Sequence, residues 1–466
     1  MTAPSCHRIS SRPRQSSLPL RGAGDILLVS CYELGHAPHG LALPLSFLRG
    51  AGFNPSVLDL SIDAADDELI AAAQLIAISV PMHTALRIGV RLLERIRRVN
   101  PTCQVGFFGL YAPLNAEYLL GLGAGWVLGG ESESALVAIA QGAPPPPTAD
   151  AVTLAKLRFP TIERDLLPTT DHYAKLERAD GSEHAAGYAE TSRGCLDKCR
   201  HCPIPAVYGG RFFVIDKKVV LDDIGRQIDA GAEHISFGDP DFLNGPGHSL
   251  AIARELHRRW PQVSFDVTTQ VSHLLQHDGL IEELAELNCA FVVSAFESLS
   301  DTVLSRLHKR HRRAGIVEVT RRSRAAGLAL RPTFVPFTPW TTADDLCDLI
   351  DFIDREHLVT NVAPVQLSIR LLVPPGSLLL ADTDSGFGEL DAPTLSHHWV
   401  HDDPRVDSLQ RDIASRVELA SNNDEPVAET FGALTELIYR AAGRTPIARV
   451  SAPGRAVPRM TEPWFC

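Results

Sequence analysis

The chain has no apolar run approaching the length that crosses a bilayer, which argues against a membrane protein. It lacks a surplus of positive charge: the net charge is −12 over 466 residues, so no broad nucleic-acid footprint is expected. It has no phosphate loop, neither G-x-G-x-x-G after a strand nor G-x4-G-K-[ST]. It has no second C-x-x-C pair to complete a four-thiol zinc site. The opening MTAPSCHRISSRPRQSSLPLRGAG is rich in Ser, Arg and Pro but has no apolar core of a secretory signal. A cytoplasmic location is therefore expected, and paired disulfides are not.

What is present is a strand–helix alternation that occurs twice. From Asp25 it runs DILLVSCY, LALPLSFLRGAGF, SVLDL, DDELIAAAQ, LIAISV, ALRIGVRLLERIRRVNP, CQVGFFG, LNAEYLLGLG, GWVLGG and ESESALVAIAQG. Apolar strands alternating with helices predict a doubly wound parallel sheet over 25–143. Four prolines at 144–147 break the pattern, and 144–186 reads as a linker. The second series has candidate strands at 187–192, 234–239, 264–269, 291–296, 330–335 and 366–372. Six βα units over 187–380 predict a partial (β/α)6 TIM-type barrel, whose working face is the C-terminal ends of its strands. Residues 381–466 read as a helical extension with a flexible tail, and 1–24 as a disordered tail. The fold class is α/β.

Three of the nine cysteines fall within GCLDKCRHCPIP (194–205), at Cys195, Cys199 and Cys202. The other six are scattered at 6, 31, 103, 289, 347 and 466. The C-x3-C-x2-C loop follows the first strand of the second series, at its working face. Thiolates suit zinc or iron–sulfur clusters. A closed zinc site needs a fourth donor; His201 is the nearest, but a loop this short wraps four donors poorly around one ion. Three thiolates can instead hold three irons of a 4Fe–4S cube, leaving one iron open to an outside ligand. A structural zinc, or three ordinary cysteines, stands as the plainer alternative.

SRGCLDKCRHCPIP resembles the signature loop of the radical SAM enzymes. The resemblance implies that Cys195, Cys199 and Cys202 ligate a 4Fe–4S cluster. S-adenosylmethionine (SAM) would chelate the fourth iron and be cleaved to a 5′-deoxyadenosyl radical that abstracts hydrogen from substrate. His201 stands where the family usually has an aromatic residue and is expected to pack on adenine. FGDPDF (237–242) matches the segment that meets the SAM amino group, with Gly238, Asp239 and Asp241 as candidates; a polar turn is the alternative. SAFESLSDTVLSRLHK (294–309) resembles the family's fourth strand and its helix, with Glu297 and Ser298 at the mouth. Ser298 also reads as a helix N-cap. Gln270, Arg331 and Arg370, on the third, fifth and sixth strands, are candidates for ribose or carboxylate contacts. LVPPGSLLL (372–380) resembles the stretch that closes the family's barrel.

Residues 25–143 resemble the cobalamin-binding-type domain that precedes many radical SAM barrels, with GGESESAL (129–136) at its last strand and turn. Cobalamin is one expectation; a degenerate domain kept for packing or docking is the other. ELGHAPHG (33–40) lacks the D-x-H-x-x-G spacing; His36 and His39 are expected to be solvated loop histidines, with a role as ligands the lesser reading. The acidic DDEL (66–69) reads as a helix N-terminus. The basic RLHKRHRR (306–313) reads as a solvated helix end, with an acidic substrate or leader peptide as the lesser reading. The ending TEPWFC resembles radical SAM proteins whose tail reads Cys-Cys-Ala-Glu-Pro or Cys-selenocysteine-Ala-Glu-Pro. Cys466 would then stop at a selenocysteine codon and belong to a redox tail; an ordinary exposed cysteine is the alternative.

The expected function is hydrogen abstraction from a peptide or small molecule, with a ferredoxin or flavodoxin as electron donor. A cobalamin-dependent methyltransferase is the second expectation, and a non-catalytic iron–sulfur sensor the third.

Overall fold

The computed structural model describes residues 20–381, 386–446 and 456–462; the expectations for residues 1–19 and for Cys466 lie outside them. Six strands build the first sheet: β1 (Ile26–Ser30), β2 (Ser56–Asp59), β3 (Leu75–Ser79), β4 (Gln104–Phe108), β5 (Trp126–Gly130) and β6 (Val152–Thr153). Their order is β2-β1-β3-β4-β5-β6 and every pairing is parallel. β1 and β3 are buried at every position. Leu27, Val29, Ile76 and Ile78 face one core, and Ile26, Leu28, Leu75 and Ala77 face the other. That two-sided burial is why these strands read as continuous apolar runs. Helix His83–Val99 buries Ala85, Leu86, Gly89, Leu92, Leu93 and Ile96, a stripe at helical spacing. Asn100 ends it and donates its side-chain amide to the Ile70 and Ala73 carbonyls. β6 comes from the stretch read as a linker.

The second sheet contains β7 (Lys175–Glu177) and β8 (Glu183–Ala189). A short hairpin of β9 (Ser192–Gly194) and β10 (Phe212–Val214) follows; the sheet resumes with β11 (His234–Phe237), β12 (Ser264–Thr269), β13 (Cys289–Glu297) and β14 (Ala329–Phe334). After a minimal ladder of β15 (Leu390–Asp391) and β16 (Ser396–His397), β17 (Arg459–Met460) completes it. The order is β14-β13-β12-β11-β8-β7-β17, parallel from β8 to β14, with β7 and β17 antiparallel at one edge. The sheet curls into a half-barrel.

The sixth barrel strand, expected at 366–372, is replaced. Pro364–Ser368 forms a 3-10 turn, and a single parallel bridge, Phe337 to Arg370, stands in for the ladder. The Gln366 side-chain carbonyl accepts from the Phe334 backbone N–H at 3.1 Å, supplying the acceptor that a neighbouring strand would otherwise provide.

Helix Val427–Ala441 packs onto helix Ala343–Arg355, helix Pro404–Asn422 packs onto Val427–Ala441 and the Pro364–Ser368 turn, and both share the barrel core through Val406, Leu409, Ile413, Phe431 and Leu434. The Tyr439 hydroxyl donates to Asp351 at 2.6 Å. β17 then returns across the open side, and Met460 packs with Leu176, Phe291 and Val293 inside the curl. No helix among the described residues is long and apolar enough to cross a membrane.

Candidate cofactor and active site

A cavity of about 600 Å³ lies between the two sheets. Its walls come from the C-terminal ends of β1, β3, β4 and β5 on one side and from the half-barrel lumen on the other. Both are the edges at which parallel sheets present ligand sites. Cys195, Cys199 and Cys202 all line it.

The hairpin sets the cysteine loop. Gly194 has φ +77, and a Cβ there would lie 2.4 Å from the Arg211 carbonyl oxygen, so only glycine makes the turn that aims Cys195 inward. Asn244 accepts from the Cys195 thiol at 3.6 Å and from the Leu196 N–H at 3.1 Å. Cys199 lies 4.0 Å from the Gln270 side-chain oxygen. Leu307 accepts from the Arg200 N–H, and the Ser377 hydroxyl donates to the Arg200 carbonyl, fixing the loop from outside. Burial pushes the Cys195 and Cys202 thiols up to about 12 and raises Cys199 as well. A protein-only environment therefore keeps them as thiols; a cationic metal centre is what would make them thiolates.

The site fits a group that it does not itself supply. His201 Nδ1 and Asn244 Nδ2 are buried beside the thiols with no hydrogen-bond partner, as polar atoms facing a missing polar group would be. A tetrahedral zinc needs sulfurs about 3.8 Å apart. Among the described residues the one set of metal-binding atoms within 4.8 Å of one another is Cys195, Asp197 and Asp241, not the three thiols. The cysteines are thus spread too widely for one zinc, and three soft donors so spaced suit a larger iron–sulfur unit.

His201 is held by one of its two nitrogens. Its Nε2 meets Glu297 at 3.2 Å. Glu297 ends β13 at φ +62, where the β13–β14 register shifts, and it also accepts from Lys309 at 3.2 Å. The Lys309 side chain is 2% exposed, so within the basic run 306–313, whose Arg306, Arg310 and Arg312 are exposed, Lys309 departs from the solvated reading. The ammonium and His201 hold the Glu297 carboxyl far below the usual range despite its burial, and Glu297 in turn raises Lys309. Lys309 also acts electrostatically on Cys199 and Cys202. Arg310, from the same run, donates to Asp197 at 3.2 Å, and Gln270 donates to that carboxylate at 2.6 Å.

The remaining candidates divide. Gly238 lines the cavity under Tyr188, where a Cβ would lie 1.7 Å from the tyrosine oxygen. Asp239 lines it too, but its carboxylate accepts from the Thr191 N–H (2.8 Å) and hydroxyl (2.6 Å) and from the Ser192 hydroxyl (2.7 Å). It ties down the entry to the cysteine loop. Asp241 stands behind the wall, accepting from Leu243 N–H, the Thr269 hydroxyl and His273 Nδ1. Ser298 also lies off the cavity, its hydroxyl accepting from the Ser300 N–H at 3.1 Å. Arg370 reaches the cavity wall, but its guanidinium donates to Asp407 and the Trp399 carbonyl, both at 2.6 Å, and stacks on Trp399. Arg331 lines the cavity with no such commitment.

On the facing wall, the expectation of solvated histidines does not hold. His39 is 2% exposed, its Nδ1 bonded to Arg164 at 3.2 Å. His36 stacks on Tyr188 with ring centroids 4.9 Å apart, and burial lowers its pKa to about 4. The ESE turn has a role that sequence reasoning missed. Glu131 and Glu133, both buried, lie 3.7 and 2.7 Å from Arg193, which also meets Glu190 at 3.2 Å. Arg193 immediately precedes Gly194, so the first domain grips the cysteine loop directly. The acidic pair spaced by one residue in the turn and the arginine in SRGC were the available signal.

The family model of the Radical SAM superfamily matches residues 189–353. The ribosomal protein uS12 methylthiotransferase RimO of Citrifermentans bemidjiense is 23% identical over 195 residues, 39% of this chain and 42% of that protein. The bacteriochlorophyllide d C-8(2)-methyltransferase of Chlorobaculum tepidum is 21% identical over 194 residues, 40% of this chain and 42% of that protein. The chain thus matches about two-fifths of the length of these curated relatives. Among solved structures, the radical SAM methyltransferase TsrM from Kitasatospora setae, with cobalamin and a [4Fe–4S] cluster bound, has a TM-score of 0.57 at 18% identity. That match covers 72% of this chain and 73% of that one. The cobalamin-dependent SAM radical enzyme OxsB has a TM-score of 0.62 at 14% identity, covering 85% of this chain and 66% of that one. The chain carries a radical SAM domain, a fold that implies a 4Fe–4S cluster and SAM.

Proposed function

We propose that the protein is a radical SAM enzyme whose reaction takes place in the cavity between its two sheets. One observation carries this reading: Cys195, Cys199 and Cys202 all line that cavity, while the Nε2 of His201, the fourth donor that the loop offers, is taken up by Glu297. Cys195, Cys199 and Cys202 would hold three irons of a 4Fe–4S cluster, leaving the fourth for SAM. When bound, the reduced cluster supplies the electron that cleaves the sulfonium carbon–sulfur bond of SAM, for hydrogen abstraction from a substrate.

The chain's own residues shape that chemistry. Lys309 places a buried positive charge beside Cys199 and Cys202, which favours electron-rich sulfur, and Glu297 balances it when the site is empty. Asp197 orients Gln270 at the cavity wall, and Arg193 clamps the loop to the first domain. A peptide or small-molecule substrate and an external one-electron donor such as a ferredoxin or flavodoxin complete the scheme.

A methyltransferase that uses cobalamin is the second reading. It is favoured by the continuity of the cavity from the thiols to the ends of β1, β3, β4 and β5, and by the cobalamin in TsrM and OxsB. Anaerobic reconstitution tests both readings. Release of 5′-deoxyadenosine from SAM supports the first, and retained corrinoid absorbance with methyl transfer from labelled SAM supports the second. Retention of neither iron nor SAM cleavage defeats both.

A further inference from the structure

Side chains two apart on each barrel strand share the lumen face, so Asp266, Thr268 and Gln270 on β12 all line the cavity, as do Phe291, Val293, Ala295 and Glu297 on β13. Gln270 and Glu297 belong to the cysteine end. Asp266 lies four residues before Gln270, roughly 13 Å deeper along the strand. Arg331 on β14 shares this deep end, over the Phe291 ring at 6.0 Å.

The two charges there are left open. The Asp266 carboxylate takes its hydrogen bonds on one oxygen, from the Ser236 hydroxyl at 2.6 Å and His234 Nε2 at 2.8 Å. His234 is fully buried, and its Nδ1 is satisfied by Ser264 at 2.8 Å, so the imidazole serves to fix Asp266. Among the described residues the second Asp266 oxygen accepts no hydrogen bond. Among the described residues Arg331 makes no hydrogen bond or ion pair; its Nη1 is buried without a partner and its guanidinium lies over the Phe291 ring. Asp266 and Arg331 do not pair with each other within 4.0 Å, although both line one cavity. Other charges face this end: Glu177 of β7 pairs with Arg459 of β17 at 2.9 Å, Glu462, just after β17, lines the same cavity, and His36 of the first domain interacts electrostatically with Asp266. Burial lowers Arg331 to about 10, so it remains a cation at neutral pH.

A half-buried cation with no ion-pair partner among the described residues and a carboxylate bonded on one oxygen are costly in an unliganded protein, and such groups mark recognition. We infer that the deep end of the lumen binds the zwitterionic end of an α-amino acid, its carboxylate on Arg331 and its ammonium on Asp266, and that this group anchors the substrate. The inference rests on the proposed enzymatic reading and names its substrate class. The amino acid's side chain would then extend along the lumen toward the cysteine end, past Phe291 and Val293.

Calorimetric titration of the full chain with the free L-amino acids, with and without SAM, reads this site without requiring turnover. At least one amino acid should bind, and its carboxamide and its des-amino acid should each bind about 10- to 100-fold more weakly, the loss expected for a buried charged hydrogen bond. Arg331→Met should remove the preference for the acid over the carboxamide, and Asp266→Asn the preference for the amine. Arg331→Met should melt at the same temperature as the parent or higher, because it removes an unpaired buried charge. Equal binding of the acid and its carboxamide, no binding of any amino acid in either condition, or a large drop in the Arg331→Met melting temperature would overturn the inference. Iron content and SAM cleavage are scored separately, so the failure of the enzymatic reading shows there and not in the titration.

Discussion

The two ends of the barrel lumen are built on the same strands but treat charge in opposite ways. At the cysteine end each charge has a protein partner: Lys309 and His201 on Glu297, Arg310 and Gln270 on Asp197, the 191–192 segment on Asp239. At the deep end, among the described residues, Arg331 has no ion-pair or hydrogen-bond partner and Asp266 is bonded on one oxygen. Paired charges fix geometry and tolerate an empty site; unpaired ones wait for a ligand. One lumen thus separates a scaffold for the cofactors from a surface for recognition.

The largest effect that would break this comparison is at the thiols. Cys195→Ala, Cys199→Ala or Cys202→Ala should each abolish the brown chromophore and SAM cleavage together, while circular dichroism shows the fold retained. Next is the paired end. Glu297→Gln leaves the Lys309 ammonium buried without its counter-charge and should cost about 3–5 kcal/mol in denaturant unfolding.

A pH dependence sharpens the contrast between the two walls. Burial pushes Glu33, on the facing wall, up to about 8, even though the Gly40 N–H donates to it. Its folded pKa lies above the unfolded value, so the folded state holds the proton more tightly and stability falls as pH rises from near 4.5 to 8. Glu33→Gln should flatten that slope and be relatively more stable at pH 8 than at pH 5; unfolding curves at the two pH values check it. The smallest effect is expected at Ser298. Ser298→Ala loses one hydrogen bond to Ser300 and should cost about 1 kcal/mol with SAM binding unchanged.

Part of this was legible in the sequence. The cysteine loop announced itself because its chemistry is local: three thiols in eight residues need no tertiary information. The five parallel barrel strands were legible because each carries its own apolar pattern. The sixth was not, since the alternation of QLSIRLL persists although Gln366 turns its side chain to Phe334 in place of a backbone ladder. Lys309 looked solvated because its partner, Glu297, is twelve residues away across a strand end. His36 and His39 looked solvated because the elements that bury them, around Arg164 and Tyr188, lie more than a hundred residues later. β17 was invisible for the same reason: a two-residue strand has no pattern of its own, and its place is set by β7.

The account depends most on what the three cysteines hold. Mössbauer spectroscopy of anaerobically prepared, iron-57-labelled protein reads this directly. Four irons per chain, with one site changing its signal on addition of SAM, is the predicted result; a single zinc, or no metal bound at all, would contradict it.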